Sequence, residues 1–328
     1  MSENSSYYSE KLVAMAAVRE ASDLCKAVQR EIEPGSLQKK DRSPVTIADF
    51  GSQALVCSRL RMAYPDDPII AEENAAELRT DENSTITAQV VSNVREIRPD
   101  AKSDEVLDWI DYGGSKDQSD RFWTLDPIDG TKGFLRGDQY AVALALIVGG
   151  EVVVAALACP NLVISDATTE KGVVAIAEKG RGAELFRLRD MALIRKAEVT
   201  TISAPADARF SESVESGHTS HSQSQIVSDL LGISKPATRL DSQAKYVVVA
   251  AGDADIYMRF PSDGRYLENI WDHAAGKLLV EEAGGRVTDI NGKDLEFLYG
   301  YQLRENRGML VSNGAIHEPL LEAVRNAN

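Results

Sequence analysis

The sequence predicts an α/β protein in two parts, an α+β domain over residues 1–199 and an α/β domain over residues 200–328. Two patterns predict this class. The first part begins with helix-like segments and continues into β-branched runs around Gly149-Gly150, which is typical of a hairpin-rich sheet. In the second part, short apolar strands alternate with helical segments, as in α/β domains. The length of 328 residues fits one large or two ordinary domains.

The first part opens with two helices and a short strand. Apolar side chains recur near one face of Lys11–Glu31, which predicts a helix. A second helix is predicted from Thr46 to about Ala63, because Pro65 follows it. The segment "PIIAEEN" then predicts a strand that ends at Glu72-Glu73.

The stretch between this strand and the next apolar segment is polar. We expect residues 75–121 to form a surface insertion or flap, with short helices over residues 88–97 and 104–110. Further along, the strand "GVVAIAEKG" and a basic segment up to Val199 complete the first part.

One apolar stretch, Ala141–Ile164, has the length of a membrane helix. However, Gly149-Gly150-Glu151 interrupts it, and β-branched residues fill both of its halves. We therefore predict a β-hairpin with a tight Gly-Gly turn, and no membrane partner.

The second part alternates strands and helices. The segment "TISAP" at residues 201–205 predicts a strand, and a helix is expected near Ile226–Leu231. The apolar segment "AKYVVVAAG" fits either a helix or a strand. The remaining predictions are strands over residues 254–260, 286–290 and 308–313, a helix over residues 271–285 and a last helix from Pro319.

The composition excludes some partners. The formal net charge of -15 argues against broad binding to nucleic acid or to anionic membranes, but it suits a site for divalent cations. Three cysteines without pairing spacing indicate buried, reduced thiols in a cytoplasmic protein, and no structural zinc site. The N-terminus has neither a signal-peptide nor a transit-peptide pattern.

The stretch "FWTLDPIDGTKGFLRG" carries the strongest functional pattern. Asp126 and Asp129 flank an apolar residue at a sharp turn that Gly130 permits, and burying bare carboxylates there is costly. Hard divalent cations prefer oxygen ligands, and the Ile128 carbonyl offers one more. The backbone N–H groups of Gly130 and Thr131 suit a phosphate group. The alternative is a purely structural turn.

Three more acidic positions allow two interpretations each. Asp49 is either the acid of a capping box that begins at Thr46 or a catalytic group. Glu72, beside Glu73, is either solvated or a metal ligand at a strand end. Asp272 is either the N-cap of a helix or a ligand that the second part contributes.

Together these motifs resemble a known family. "SPVTIAD", "AEE", "DPIDGT", "WDHAAG" and "EEAGG" resemble the magnesium-dependent, lithium-sensitive phosphatases related to inositol monophosphatase. "KGFLRG", "ACPNLV", "GHTSH" and "LDSQAKY" resemble one branch, the 3′(2′),5′-bisphosphate nucleotidases. The resemblance runs from about Leu12 to His317 and implies a layered α/β/α/β/α sandwich.

The resemblance also implies an activity and its residues. Metal ligands for about two or three Mg²⁺ ions fall on Glu72, Asp126, Asp129, Asp272 and the Ile128 carbonyl. The water-activating pair falls on Asp49 and Thr131. Substrate contacts fall on Gly130, Thr131, His218, Ser242, Lys245 and Arg259.

The expected reaction is hydrolysis of the 3′-phosphate of 3′-phosphoadenosine 5′-phosphate to AMP and phosphate by a monomer. The 2′,5′ isomer and 3′-phosphoadenylyl sulfate are expected as further substrates. The alternatives are an inositol phosphate or sugar bisphosphate phosphatase of the same superfamily, and a non-catalytic nucleotide sensor.

Overall fold

Two β-sheets organise the computed structural model, which describes residues 7–32, 43–115, 119–165, 169–214, 221–261 and 267–327. The first sheet contains, in chain order, Ile69–Ala71 (β1), Arg121–Asp129 (β2), Ala141–Val148 (β3), Glu151–Cys159 (β4), Val173–Glu178 (β5), Gly182–Arg187 (β6) and Leu193–Ala197 (β7). The second contains Phe210–Glu212 (β8), Thr238–Arg239 (β9), Ile256–Arg259 (β10), Arg286–Thr288 (β11) and Met309–Ser312 (β12). The order of the strands in the second sheet is β11-β12-β10-β8-β9.

Nine α-helices lie among the described residues. They are Tyr8–Glu31 (α1), Ser43–Ala63 (α2), Ser84–Ile97 (α3), Ser103–Tyr112 (α4), Thr131–Arg136 (α5), His221–Leu231 (α6), Ala244–Ala250 (α7), Ala274–Glu282 (α8) and His317–Ala327 (α9).

These elements stack in five layers. Helix α1, with α2 beside it, packs on one face of the first sheet, and α8 packs on the other face. Helix α7 lies beside α8 and contacts the second sheet, whose far side is covered by α6 and α9. The apolar faces of both sheets are thereby buried, and the predicted α/β/α/β/α sandwich is confirmed.

The predicted hairpin is confirmed. Strands β3 and β4 pair antiparallel, and Gly149 and Gly150 join them with positive φ angles of 58° and 80°. Two positive φ angles are what a type I′ turn requires, which explains the glycine pair. No helix in the described part of the chain combines the length and the apolarity that crossing a membrane needs.

The interpretation of residues 75–121 as a surface insertion is wrong, although both short helices exist. Helices α3 and α4 pack against α2. They bury Val90, Val94 and Ile110 in the same apolar core that α1 and α2 share with the first sheet. The polar residues that suggested a flap lie on the outer faces of these helices, so this segment belongs to the helical layer.

The strand predicted over residues 201–205 is also wrong. The position beside β10 is occupied by β8, which pairs with it in parallel. The segment is instead anchored by a side chain, because the Asn313 amide donates a hydrogen bond of 2.8 Å to the Ile202 carbonyl. The ambiguous segment "AKYVVVAAG" forms α7, which is buried all round because it lies between the two sheets.

Candidate active site

A bulge at the end of β2 brings two carboxylates together. Asp126 pairs with Ala143 of β3, but Asp129 pairs with Ala141, so three steps on β2 face two on β3. The Ser52 hydroxyl donates a 2.9 Å hydrogen bond to the Pro127 carbonyl within this bulge. Bulges redirect side chains in this way next to active sites, and here the bulge releases backbone carbonyls from the ladder.

The second half of the chain contributes Asp272 to the same place. Carboxylate oxygens of Asp126, Asp129 and Asp272 lie within 4.8 Å of one another. Asp272 ends a 3₁₀ turn, and α8 begins two residues later with His273 at its N-cap position. The N-cap interpretation of Asp272 is therefore wrong, and its side chain is directed into the cluster.

The cluster carries charge that its own residues do not balance. Burial raises the pKa of Asp126 well above its usual value, and the charges of Glu72, Asp129 and Asp272 raise it further. Asp126 is 2% exposed, and its Oδ1 has no hydrogen-bond partner among the residues that the structure describes. Burial, opposed by Arg259, also raises the pKa of Asp272 to about 6. A divalent cation with a preference for oxygen ligands fits this orphaned oxygen and this repulsion.

Glu72 stands at the rim of the cluster. It directly follows β1, which pairs in parallel with β2, so the two strand ends carry their acids to one edge. Its side chain reaches solvent, yet partial desolvation by the surrounding protein raises its pKa to about 8. The charge of Asp272 adds to that rise, while a hydrogen bond with Asp126 opposes it.

Asp49 lies behind the cluster on α2. Because α2 begins at Ser43, Asp49 is in the second turn, and the capping-box interpretation is wrong. The side chain is 8% exposed, and burial followed by the charges of Glu73 and Glu72 raises its pKa well above the usual value. A carboxyl group in this environment binds a proton more readily than an exposed one.

The turn after Asp129 requires glycine. Gly130 has a φ of 92°, and a Cβ there would lie 3.0 Å from the Cβ of Ser242. The Asp129 Oδ2 accepts a 2.5 Å hydrogen bond from the Gln243 backbone N–H, which ties the two turns together. Thr131 follows as the first residue of α5, with an exposed side chain.

The facing turn holds two predicted substrate contacts. Ser242 has a φ of 69°, which is unusual for a residue other than glycine. Lys245 is 4% exposed, and its Nζ donates to the Leu240 and Ser242 carbonyls at 3.3 and 2.8 Å. Burial lowers the pKa of Lys245 to about 8, although Asp129 opposes that shift. An ammonium group has three donors, so Lys245 both braces the turn and places a positive charge near Asp129.

Arg259, at the end of β10, belongs to a buried network that sequence reasoning missed. Its Nη2 lies 3.0 Å from Glu268 Oε2, which is also 3.2 Å from His273 Nε2. The other ring nitrogen of His273 lies 2.8 Å from the Tyr246 hydroxyl. No residue pattern identifies Glu268, because the folded chain must bring Arg259 and His273 to one carboxylate even though both lie near it in sequence. The predicted contact His218 lies outside the described residues.

This protein is a five-layer α/β sandwich with a carboxylate cluster between its two sheets that is a candidate site for divalent cations. The family model described as "Inositol monophosphatase family" matches residues 6–328, and the chain belongs to that family.

Relatives of similar length resemble the whole chain. A protein of Emericella nidulans named 3′(2′),5′-bisphosphate nucleotidase is 42% identical over 98% of this chain and 98% of its own length. A protein of Schizosaccharomyces pombe with the same name is 41% identical over 97% of this chain and 95% of its own length.

Solved structures share the fold. An inositol monophosphatase from Zymomonas mobilis superposes with a TM-score of 0.64 at 18% identity, covering 98% of this chain and 100% of the other. CysQ from Bacteroides thetaiotaomicron, described as a bacterial member of the inositol monophosphatase family, gives 0.58 at 21% identity over 93% and 97% of the two chains.

Proposed function

We propose that this protein is a Mg²⁺-dependent 3′(2′),5′-bisphosphate nucleotidase that hydrolyses 3′-phosphoadenosine 5′-phosphate to AMP and phosphate. Its further substrates are the 2′,5′ isomer and 3′-phosphoadenylyl sulfate. The observation that carries the proposal is the set of three carboxylates within 4.8 Å, which includes one residue from the second half of the chain. The names of the full-length relatives support the substrate class.

The site's oxygens would hold about two or three Mg²⁺ ions. The ligands are Glu72, Asp126, Asp129, Asp272 and the Ile128 carbonyl. When bound, such ions neutralise phosphate oxygens and lower the pKa of a coordinated water. The role of the chain is to keep these oxygens at fixed separations before substrate arrives, through the β2 bulge and the turn that precedes α8.

Thr131 and Asp49 would together remove a proton from the attacking water. The Thr131 hydroxyl is exposed at the start of α5, where it can accept a hydrogen bond from that water. Asp49 would orient the Thr131 hydroxyl and accept its proton, while that hydroxyl receives a proton from the water, so the net transfer is from the water to the Asp49 carboxylate. Its raised pKa suits this role, because a buried carboxylate with few stabilising donors is a stronger base.

Two positively charged side chains, Lys245 and Arg259, would select a substrate with a second phosphate. Lys245 interacts electrostatically with Asp129, and Arg259 with Asp272, so both positive side chains lie beside the proposed metal site, where a second phosphate of the same substrate could reach them. They would neutralise the 5′-phosphate. The Gly130 backbone N–H and Ser242 would contact the nucleotide together with His218, whose place lies outside the described residues.

The other candidates fit the site less well. An inositol monophosphate lacks a second phosphate for Lys245 and Arg259. A non-catalytic nucleotide sensor would not need the buried Asp49, whose raised pKa suits proton transfer.

The decisive experiment measures phosphate release from 3′-phosphoadenosine 5′-phosphate and from inositol 1-phosphate, each with Mg²⁺ and with EDTA. We expect Mg²⁺-dependent release that is much faster from the nucleotide. Faster release from inositol 1-phosphate would replace the proposal with the inositol phosphatase alternative. Nucleotide binding without turnover in saturating Mg²⁺ would favour the sensor.

Three further features complete the proposal. We place a domain boundary at residue 199, between the strands of the first sheet, which end at Ala197, and those of the second, which begin at Phe210. We propose the cytoplasm as the compartment, because Cys25, Cys57 and Cys159 are buried free thiols. We also propose a monomer, which light scattering after gel filtration would test.

A further inference from the structure

Gln243 connects segments that carry metal ligands from both halves of the chain. Its backbone N–H donates to Asp129 Oδ2 at 2.5 Å. Its side-chain Nε2 donates to the Trp271 carbonyl at 2.9 Å, and its Oε1 accepts from the Gly276 N–H at 3.2 Å. Gln243 is 2% exposed, so these contacts are shielded from water.

The two side-chain contacts flank Asp272 on both sides. Trp271 directly precedes Asp272, and Gly276 lies four residues after it, in the first turn of α8. The connection from Trp271 to Gly276 is therefore clamped by one amide, while the backbone of the same residue holds Asp129. A shift of Gln243 would change the separation between Asp129 and Asp272.

The primary amide of Gln243 provides both side-chain contacts. The Trp271 carbonyl needs a donor and the Gly276 N–H needs an acceptor, which an amide supplies from one planar group. A glutamate in this position would direct a carboxylate oxygen at the Trp271 carbonyl. Gly276 also admits no larger residue, since a Cβ there would lie 2.3 Å from the Tyr246 ring.

The turn that holds Gln243 is itself braced. Asp241 forms an ion pair with Arg136 of α5, and Lys245 Nζ donates to the Ser242 carbonyl at 2.8 Å. These contacts link the "KGFLRG" stretch to "LDSQAKY", so the position of Gln243 is fixed from both directions.

We propose that Gln243 is a positioning residue that sets the separation of Asp129 and Asp272 and thereby the affinity of the site for Mg²⁺. This inference rests on the metal site of the proposed function. Residues that orient metal ligands typically contribute about 10–100-fold to metal affinity or activity. Gln243 touches neither an ion nor a reacting atom in this role.

The test is calorimetric titration of EDTA-stripped full-length protein with Mg²⁺, together with thermal unfolding of each metal-free sample. Gln243→Met keeps the length of the side chain and removes the amide. The matched control is Asn313→Leu. Asn313 is 3% exposed, and its amide likewise donates to a backbone carbonyl, of Ile202, and accepts from a backbone N–H, of Ile316.

We expect Gln243→Met to raise the Kd for Mg²⁺ about tenfold or more, and Asn313→Leu to lower the unfolding temperature with an unchanged Kd. An unchanged Kd in a folded Gln243→Met variant would overturn the positioning role while leaving the metal site intact. Absence of Mg²⁺ binding by the unaltered protein would instead overturn the proposed metal site itself.

Gln243→Glu provides the second variant, which decides the question if Gln243→Met does not fold. It preserves the side-chain volume and the acceptor for Gly276, but adds a negative charge and removes the donor to the Trp271 carbonyl. Added charge alone would tighten Mg²⁺ binding, whereas loss of positioning weakens it. We expect weaker binding, and equal or tighter binding would contradict the proposal.

Discussion

Replacing Asp126 with asparagine should stabilise the metal-free protein and abolish its catalysis. Carboxylate oxygens in the cluster lie within 4.8 Å, so each fully ionised pair repels by at least about 3.5 kcal/mol at an effective dielectric constant of about 20. Bound protons relieve part of this repulsion. At pH 8.5, above the pKa values of about 8 for Glu72 and about 6 for Asp272, we expect a net gain of about 2 kcal/mol.

This gain corresponds to an unfolding temperature about 3 °C higher in EDTA, measured by differential scanning fluorimetry. In saturating Mg²⁺ the order should reverse, because the unaltered protein gains binding energy that Asp126→Asn largely loses. Turnover should fall about a thousandfold or more, since a metal ion contributes several kcal/mol to the stabilised charge.

Asp289→Asn is the control for replacing a buried aspartate. Asp289 is 1% exposed, but its carboxylate accepts backbone N–H bonds from Asn291, Lys293 and Arg307. The Asp289→Asn substitution should therefore destabilise the protein equally with and without Mg²⁺. A metal-free Asp126→Asn protein that is as unstable as the Asp289 variant would refute the view that charge in the cluster is unbalanced.

Three further predictions concern neighbouring residues. Asp49→Asn should lower kcat about 10²- to 10⁴-fold with a nearly unchanged Kd for Mg²⁺; a large rise in that Kd would make Asp49 a ligand instead of a base. Gly130→Ala should destabilise the protein by about 1–3 kcal/mol, because its φ is 92° and Ser242 is close; a neutral effect in urea unfolding would contradict this strain. Mg²⁺ affinity should fall as pH is lowered from about 8 to 6, the pKa values of Glu72 and Asp272, because the ion displaces protons from both. Since both folded-state pKa values are raised above the unfolded values of 4.5 and 3.8, the stability of the metal-free protein should fall as pH rises from about 4 to about 8. Flat results across pH in both calorimetry and thermal unfolding would contradict this reasoning.

Structural features that depend on residues adjacent in the chain could mostly be predicted from the sequence. The Gly149-Gly150 hairpin and the Asp126–Asp129 turn follow from local chemistry, because glycine tolerates positive φ and two acids beside apolar residues need a counter-charge. The sequence leaves helix α7 ambiguous for the opposite reason. A segment buried on all sides shows no periodicity, whichever structure it adopts.

What the sequence could not predict depends on distant partners. The capping interpretation of Asp49 failed because α2 begins three residues earlier than predicted, at Ser43. Gln243 lies within the motif "LDSQAKY", yet its role appears only when Asp129, Trp271 and Gly276 come together around it. The roles of the site residues themselves stay predictions until metal and substrate are measured.

Anomalous scattering from a crystal soaked in Mn²⁺ would test the metal site most directly, since Mn²⁺ accepts the same oxygen ligands as Mg²⁺. The predicted result is one or more anomalous peaks within coordination distance of Asp126, Asp129 and Asp272 together. Carboxylates that remain in place without any peak between them, or peaks only at other acidic residues, would contradict a metal site shared by the two halves of the chain.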